Sequence, residues 1–249
     1  GSSCHFESLG THYDQDMMRW LAKSHGHKGW LGLIFRDRKP APEQCPPLPT
    51  LHVLKAKSIA GLRSEPKIDA KLTVCVKGND NANSHHVHTD VGHLMMFVDG
   101  ELMLSDDGYW TPTAPQHHSI LMIDGEPPDI TGGWITDGWE HGPWRAVVMD
   151  LRVAYFGRAE QIRRHYVMYG DKGLVILDDI IPDEKTKGIV TSYFQAGGTV
   201  ELGPAGNAAV IRGRKSRLFL RANGPDTALS TERGAGVEGT IKNPIWGSY

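Results

Sequence analysis

Three polar residues at alternate positions carry the clearest chemical signal in this chain. His86, His88 and Asp90 are separated by single residues, and Gly92 follows them. On an extended chain, alternate residues project from one face. Two imidazoles and a carboxylate on one face can hold a divalent metal, or place a base beside one. The spacing therefore indicates a metal site or a catalytic site.

Two later segments can complete this site. Asp106 and Asp107 end an apolar run and precede Gly108, and His117 and His118 open the next run. Taken separately these patterns are ordinary, since an Asp-Gly pair is most often a turn. Together, the three segments lie close in sequence and offer the residue types of a metal ligand set or a general base. We therefore treat them as one candidate site.

The part of the chain that must position these residues has the pattern of an all-β domain. After Leu51, short apolar or alternating runs are separated by Gly, Asp, Asn and Pro. The turn sequences at 98–101 and 170–173 are typical of hairpins. Turn signals at this frequency predict an antiparallel sandwich or barrel. The predicted strands cover residues 71–76, 93–98, 101–104, 119–123, 146–156, 161–169, 174–177, 189–194, 208–211 and 217–221.

The first fifty residues have a different pattern. Apolar residues at helical spacing follow Thr11, and Gly26 can end that helix. Five prolines between Pro40 and Pro49 cannot continue a helix and predict a linker. We therefore expect a helical segment at 1–38, a proline-rich linker at 39–50 and a β domain at 51–249.

Composition excludes several classes of protein. The 249 residues are 39% hydrophobic, yet no apolar run approaches the roughly 18 residues that a membrane span needs. The net charge of −2 argues against a nucleic-acid binder that uses its whole surface, so an acidic ligand must meet a local basic site. Cys4, Cys45 and Cys75 form no CxxC pair, which argues against a zinc ribbon or a complete disulfide framework.

The motifs together resemble those of the heparinase II/III-like polysaccharide lyases. That family's pattern is approximately H-x-H-x-D-x-G, an apolar strand, D-x-G-x-x-Y and then H-N-T. Here His118 and Ser119 stand where the family usually has Asn and Thr. The segments from Arg163 and from Leu174 resemble a later strand pair of the family, so the resemblance covers about residues 48–182.

The resemblance implies a mainly β fold, a large antiparallel β-sandwich preceded by a short helical remnant of an α/α toroid. The chain would then be the C-terminal part of an enzyme, a carbon–oxygen lyase whose toroid portion lies elsewhere. Such lyases cleave uronic-acid-containing polysaccharides, of the alginate or glycosaminoglycan type, by β-elimination. C5 epimerisation starts from the same proton abstraction. An anionic polysaccharide partner implies a periplasmic or secreted location, although the N-terminus has no signal-peptide pattern.

Residue roles also follow from the resemblance. His86 matches the histidine that faces the substrate, and Tyr109 is a candidate hydrogen-bond donor at the cleft. Zinc, in a structural role, is expected at His88, Asp106 and His117. Asp90 would orient a ligating imidazole without binding the metal itself.

Aromatic and basic residues suggest where the saccharide binds. Indole rings can stack on sugar faces and guanidinium groups can pair with uronate carboxylates. The candidates for substrate binding are Trp110, Trp139 and Arg164.

Two alternatives remain open at this stage. A cupin-like metalloenzyme also uses an HxH pair, a carboxylate and a later histidine. A non-catalytic carbohydrate-binding sandwich can keep zinc purely as a structural clamp.

Overall fold

The structure is a computed structural model, and it describes residues 12–25, 39–79, 88–106, 115–223 and 228–231. The chain divides into two compact units. The first consists of Gly1–Pro49 with Pro66–Ile68, and the second of Thr50–Glu65 with Asp69–Tyr249.

The first unit contains helix α1, Asp16–His25, which confirms a helix in this part of the sequence. Ala22 is buried, and so is Arg19, which donates to the carboxylates of Asp16 and Asp14 at 2.9 and 2.6 Å. The predicted end at Gly26 lies outside the described residues. Among the described residues, no helix has the length and apolar character to cross a bilayer.

The second unit is built from strands. Their bounds are β1 Leu51–Leu54, β2 Ile59–Arg63, β3 Leu72–Lys77, β4 His93–Val98, β5 Glu101–Leu104, β6 Leu121–Ile123, β7 Trp134–His141, β8 Trp144–Asp150, β9 Ala159–Tyr169, β10 Gly173–Pro182, β11 Val190–Ser192, β12 Thr199–Leu202, β13 Ala208–Arg212 and β14 Arg217–Arg221. All of the strand pairs are antiparallel.

Two large sheets pack face to face around the core. One has the strand order β1-β2-β3-β4-β5, and the other has the order β10-β9-β8-β7. Strands β1 and β2 lie against β7 and β8, and Gly138 admits Val53 so closely that a Cβ there would meet its Cγ2 at 3.0 Å. Leu62 and Val74 of the first sheet and Met149 of the second are fully buried in one cluster. The predicted antiparallel β-sandwich is confirmed.

Smaller sheets complete this unit. Strand β6 pairs with β11, and β12, β13 and β14 form a three-stranded sheet with β14 at its edge. The backbone N–H of Gly197 donates to the carbonyl of Met103 at 2.9 Å, which ties the chain before β12 to β5. The end of β5, an edge strand of the five-stranded sheet, is therefore close to the start of the three-stranded sheet.

Several strands differ from their predicted bounds. The prediction at 146–156 runs too far, because β8 ends at Asp150 and a 3₁₀ turn, Arg152–Tyr155, follows. Strands β1, β2, β7 and β12 were not predicted. In β7 only Ile135 is buried, so the strand has almost no apolar period to detect.

Candidate functional site

The described part of the HxHxD segment is a turn that leads into β4. Gly92 has a φ of +81°, which glycine adopts without strain. Its N–H donates to the carbonyl of Lys77 at 2.9 Å, and the N–H of His93 donates to the carbonyl of Asp90 at 3.0 Å. His88 and Asp90 therefore converge through a turn rather than through strand alternation. His86 lies outside the described residues.

Five side chains meet where β4 begins and β5 ends, and we call them the His/Asp cluster. They form two overlapping groups whose possible ligand atoms lie within 4.8 Å of one another. His118 belongs to both groups. The cluster consists of His88, Asp90, His93, Asp106 and His118.

Backbone hydrogen bonds hold the cluster's segments together. The N–H of Ser105, just before Asp106, donates to the carbonyl of Gln195 at 3.0 Å. The N–H of Gln195 in turn donates to Oγ of Ser119 at 3.1 Å, and Ser119 follows His118. The end of β5 and the start of the β6 segment are thereby fixed to one another.

His118 has one ring nitrogen engaged and one without a partner. Its side chain is fully buried, and Nδ1 lies 2.8 Å from Oδ2 of Asp106. Because a carboxylate only accepts, we assign the proton to Nδ1. Nε2 is buried and has no hydrogen-bond partner among the described residues. A histidine oriented by a carboxylate in this way presents Nε2 as a metal ligand.

His93 has the opposite arrangement. Its Nδ1 accepts the backbone N–H of Ser119 at 2.9 Å. Burial lowers the pKa of His93 to about 4, so the ring is neutral at pH 7 and its one proton lies on Nε2. Nε2 lies 3.8 Å from Oδ2 of Asp106, beyond hydrogen-bond distance, and has no hydrogen-bond partner among the described residues. With Nδ1 occupied and Nε2 protonated, His93 has no lone pair left for a metal.

Asp90 and His88 complete a ligand set with His118. Oδ2 of Asp90 accepts from Nζ of Lys77 at 2.5 Å, while Oδ1 is buried with no partner in the described part of the chain. Burial, and then the neighbouring His118, lower the pKa of His88, which favours the neutral imidazole that metals bind. Two imidazoles and one carboxylate suit zinc with one open position. The orphaned atoms of Asp90 and His118 therefore fit a bound cation.

This geometry redistributes the predicted metal-site roles. His117 is buried in the 3₁₀ turn Pro115–His117 and belongs to neither group of the described residues, whereas His118 belongs to both. Asp106, a predicted ligand, orients His118. Asp90, predicted to orient a ligating imidazole, instead has the buried oxygen without a hydrogen-bond partner. The sequence could not choose between adjacent histidines, because neighbouring residues in a tight turn point in different directions.

Arg164 does not lie on a surface that a polysaccharide can reach, which corrects its predicted role. It is fully buried, and its Nε and one terminal nitrogen donate to Asp178 at 2.7 and 2.9 Å. Along β9 the side chains alternate, so Ile162 and Tyr166 share its inward direction while Arg163 points outward. Burial by itself would lower the pKa of Arg164, but the negative charge of Asp178 has the larger effect, so the pKa of Arg164 is raised.

Arg164 and Tyr166 instead hold the turn that carries the cluster. Oη of Tyr166 donates to the carbonyl of Gly92 at 2.8 Å, and a guanidinium nitrogen of Arg164 lies 3.4 Å from the same oxygen. Burial raises the pKa of Tyr166 to about 12, so its hydroxyl keeps the proton it donates. Sequence reasoning missed both of these supports, and missed His93, although the alternation of β9 contained the signal for Tyr166.

Of the remaining predicted site residues away from the cluster, one is exposed and two lie in the part of the chain that the structure does not describe. Trp139 is 44% exposed on β7, opposite Ala146 of β8. Tyr109 and Trp110 lie outside the described residues.

Comparisons with known proteins identify the fold. No family model matches the chain, and no curated protein matches it in sequence. The structure of heparan sulfate lyase HepC from Pedobacter heparinus matches with a TM-score of 0.68 at 15% identity, over 90% of this chain and 34% of that one. A heparinase III gene product matches with a TM-score of 0.67 at 14% identity, over 90% and 34% of the two chains. Another heparinase III structure matches with a TM-score of 0.65 at 14% identity, over 86% and 33%.

The chain therefore has the β-sandwich fold of these heparinase structures, as the motif resemblance implied. It spans about a third of the length of each. At such low identity the likeness establishes the fold, and any activity must be argued from the site.

Proposed function

We propose that this chain is the C-terminal part of a polysaccharide lyase that cleaves a uronic-acid-containing polysaccharide by β-elimination. The observation that carries the proposal is the His/Asp cluster, with the orphaned Nε2 of His118 and Oδ1 of Asp90, at strand ends of a heparinase-like sandwich. The motif resemblance supports the same activity. The remaining two thirds of such an enzyme would supply the helical toroid.

His88, Asp90 and His118 would hold a divalent cation, and zinc suits their nitrogen and oxygen atoms. When bound, the cation would link two chain segments and supply positive charge beside an anionic substrate. Asp106 holds the His118 ring through Nδ1, and the neutral His93 lies beside this pair. The cation's role in this proposal is chiefly structural, so the proton transfers fall to other residues.

In the proposed reaction a base removes the C5 proton, the C4–O glycosidic bond breaks, and a C4–C5 double bond forms. The departing oxygen takes a proton from an acid or from water. The C5 proton is weakly acidic, so the enolate charge that develops on the uronate needs cationic or hydrogen-bonding partners. We assign the base to His86, whose ordinary pKa near 6.5 suits the task, and the donor to Tyr109.

An anionic polysaccharide substrate places the enzyme where such polymers occur, in the periplasm or outside the cell. Trp139, exposed on β7, is the predicted substrate residue that the structure describes on an accessible surface, where it can contact a sugar ring. Trp110 is its predicted companion.

The full-length protein tests this function with heparan sulfate and alginate as substrates. The expected product carries a conjugated double bond, which is followed by ultraviolet absorbance. His86→Ala should abolish the signal, while His52→Ala, at an exposed position of β1, should leave it unchanged. Full activity in His86→Ala would exclude that base. Binding without turnover would favour a carbohydrate-binding module, and oxygen consumption with bound iron would favour a cupin-like enzyme.

A further inference from the structure

A basic segment lies outside the His/Asp cluster. Between residues 202 and 225 the sequence contains five cationic residues and no Asp or Glu, although the whole chain has a net charge of −2. This segment therefore has a positive charge although the chain as a whole is slightly negative. The cations are Arg212, Arg214, Lys215, Arg217 and Arg221.

Strand β14 arranges part of this charge on one face. Arg217, Phe219 and Arg221 occupy alternate positions and are exposed, while Leu218 and Leu220 between them are half-buried. Phe219 is 74% exposed. Arg212 of β13 pairs with Arg217 in the sheet register, so a third guanidinium neighbours this row. We call these four side chains the β14 face.

Nearby carboxylates neutralise only part of the charge. Nε of Arg212 lies 2.6 Å from Oε1 of Glu201. The carboxylate of Glu101 is occupied by backbone, accepting the N–H groups of Lys215 and Ser216 at 3.0 and 2.8 Å. Within the described residues, Arg217 and Arg221 form no ion pair. Arg217 is close enough to Glu201 to help lower the pKa of that carboxyl, but without an ion pair its guanidinium can still bind a ligand, as can that of Arg221 on the other side of the exposed ring.

The β14 face is separate from the His/Asp cluster. Glu101, at the start of β5, contacts the turn before β14, whereas Asp106 of the cluster follows five residues later. Among the described residues, the hydrogen bonds and ion pairs of the β14 face do not reach any residue of the cluster. A ligand on the β14 face would consequently not need any residue of the His/Asp cluster.

We propose that the β14 face is a second, non-catalytic binding site for an anionic polysaccharide. Guanidinium forks bind carboxylate and sulfate groups through paired hydrogen bonds, and an exposed aromatic ring packs against the apolar face of a sugar. Arg217 and Arg221 are about 13 Å apart along an extended strand, so they suit a polymer whose charges recur. The choice of polysaccharide as the polymer rests on the proposed function. Such a site would retain a long substrate near the enzyme between cleavages.

Protection of an edge strand against pairing with other chains would explain the arginines of β14, because charged residues are sufficient for that purpose. An exposed Phe219 works against that protection, since it adds an apolar group to the open edge. A saccharide ligand accounts for the arginines and the phenylalanine together.

The test measures binding of heparan sulfate to the full-length protein by calorimetry at low salt. Arg217→Ser combined with Arg221→Ser should weaken binding by on the order of tenfold, and the difference should shrink as salt screens the charges. Phe219→Ser should weaken binding with less dependence on salt. The matched control is Arg152→Ser combined with Arg163→Ser, which removes two exposed arginines elsewhere and should change affinity little.

Kinetics separate this proposal from the lyase proposal. With a short oligosaccharide substrate the β14 double variant should have unchanged kcat and KM, and with the polymer it should have a raised KM alone. Equal loss of affinity in the test and control doubles would overturn the site, as would binding of a DNA duplex as tightly as heparan sulfate. If no variant, nor the wild type, cleaves any uronate polymer while the β14 double variant still loses affinity, the lyase function fails and the binding site stands.

Discussion

At the scale of single residues, the chemistry of the cluster depends on which ring nitrogen each histidine has already used. Ser119 occupies Nδ1 of His93, and Asp106 occupies Nδ1 of His118. The first contact takes a lone pair and the second takes a proton, so only His118 presents a lone pair on Nε2. Two buried histidines whose rings lie 5.6 Å apart therefore have different functions.

This assignment predicts different consequences for two adjacent histidines. His118→Ala should abolish stoichiometric zinc binding, because it removes a ligand, whereas His117→Ala should retain the metal. Metal content after dialysis, measured by mass spectrometry, checks the prediction. A folded His117→Ala protein that has lost its zinc, beside a His118→Ala protein that keeps it, would restore the ligand set expected from the motif.

The segments that form the cluster could be predicted from the sequence. Which residue binds the metal and which orients a ligand depends on contacts between residues that are far apart along the chain. His88, Asp90 and Asp106 were expected near a metal, and the structure brings them together. His93 was not expected, because a histidine opening an apolar strand carries no local sign of its partner, Ser119, 26 residues away. Arg164 looked like a surface cation because its partner, Asp178, lies on another strand.

At the scale of elements, β9 supports the turn before β4 by reaching across the core. Tyr166→Phe removes the hydroxyl that donates to the carbonyl of Gly92 and leaves the ring in place. We expect a loss of about 1–2 kcal/mol in the free energy of unfolding and weaker zinc binding, since the turn carries Asp90. Denaturant titration and zinc competition measure the two effects. Tyr169→Phe, at an exposed position of the same strand, is the control and should change neither.

Strand β5 is tied to the turn before β14 by one side chain, Glu101. Burial opposes its ionisation, but hydrogen bonds from the backbone of Lys215, Arg214 and Ser216 outweigh this and lower the pKa of Glu101. A lowered carboxyl pKa contributes stability above the unfolded-state value near 4.5, and that stability is lost as the pH falls through the folded-state value. Glu101→Gln should therefore cost about 1 kcal/mol at pH 7.

Denaturant titrations of wild type and Glu101→Gln across the acid range check this pH dependence. The difference between the two proteins should begin to shrink near pH 4.5, where Glu101 of the unfolded wild-type chain takes up its proton, and should be lost as the pH falls through the lower folded-state pKa. A difference that stays constant down to pH 3 would show that the amide disturbs the turn for steric reasons.

Strands were predictable where one face is buried and the other is not. Strand β14 and most of β9 have this alternation, and their predicted bounds are close to those observed. Strands β1 and β12 are only four residues long and have little burial, so their position depends on neighbours that the sequence does not reveal. The turn at 88–92 was expected to be extended, because Gly92 at positive φ was not recognised as its pivot.

At the scale of the whole molecule, a cation at His88, Asp90 and His118 would join segments that are far apart in sequence but close at one end of the sandwich. A ligand that binds only the folded state adds about 2.7 kcal/mol of stability when its concentration is 100 times Kd. Removing zinc with a chelator should therefore lower the Tm of the wild-type protein, and adding zinc back should restore it. His118→Ala should start at the lower Tm and respond to neither treatment. If chelation lowers the Tm of His118→Ala by the same amount, the metal that stabilises the fold binds elsewhere, and this end of the sandwich is held by direct contacts such as those of Lys77, Arg164 and Tyr166.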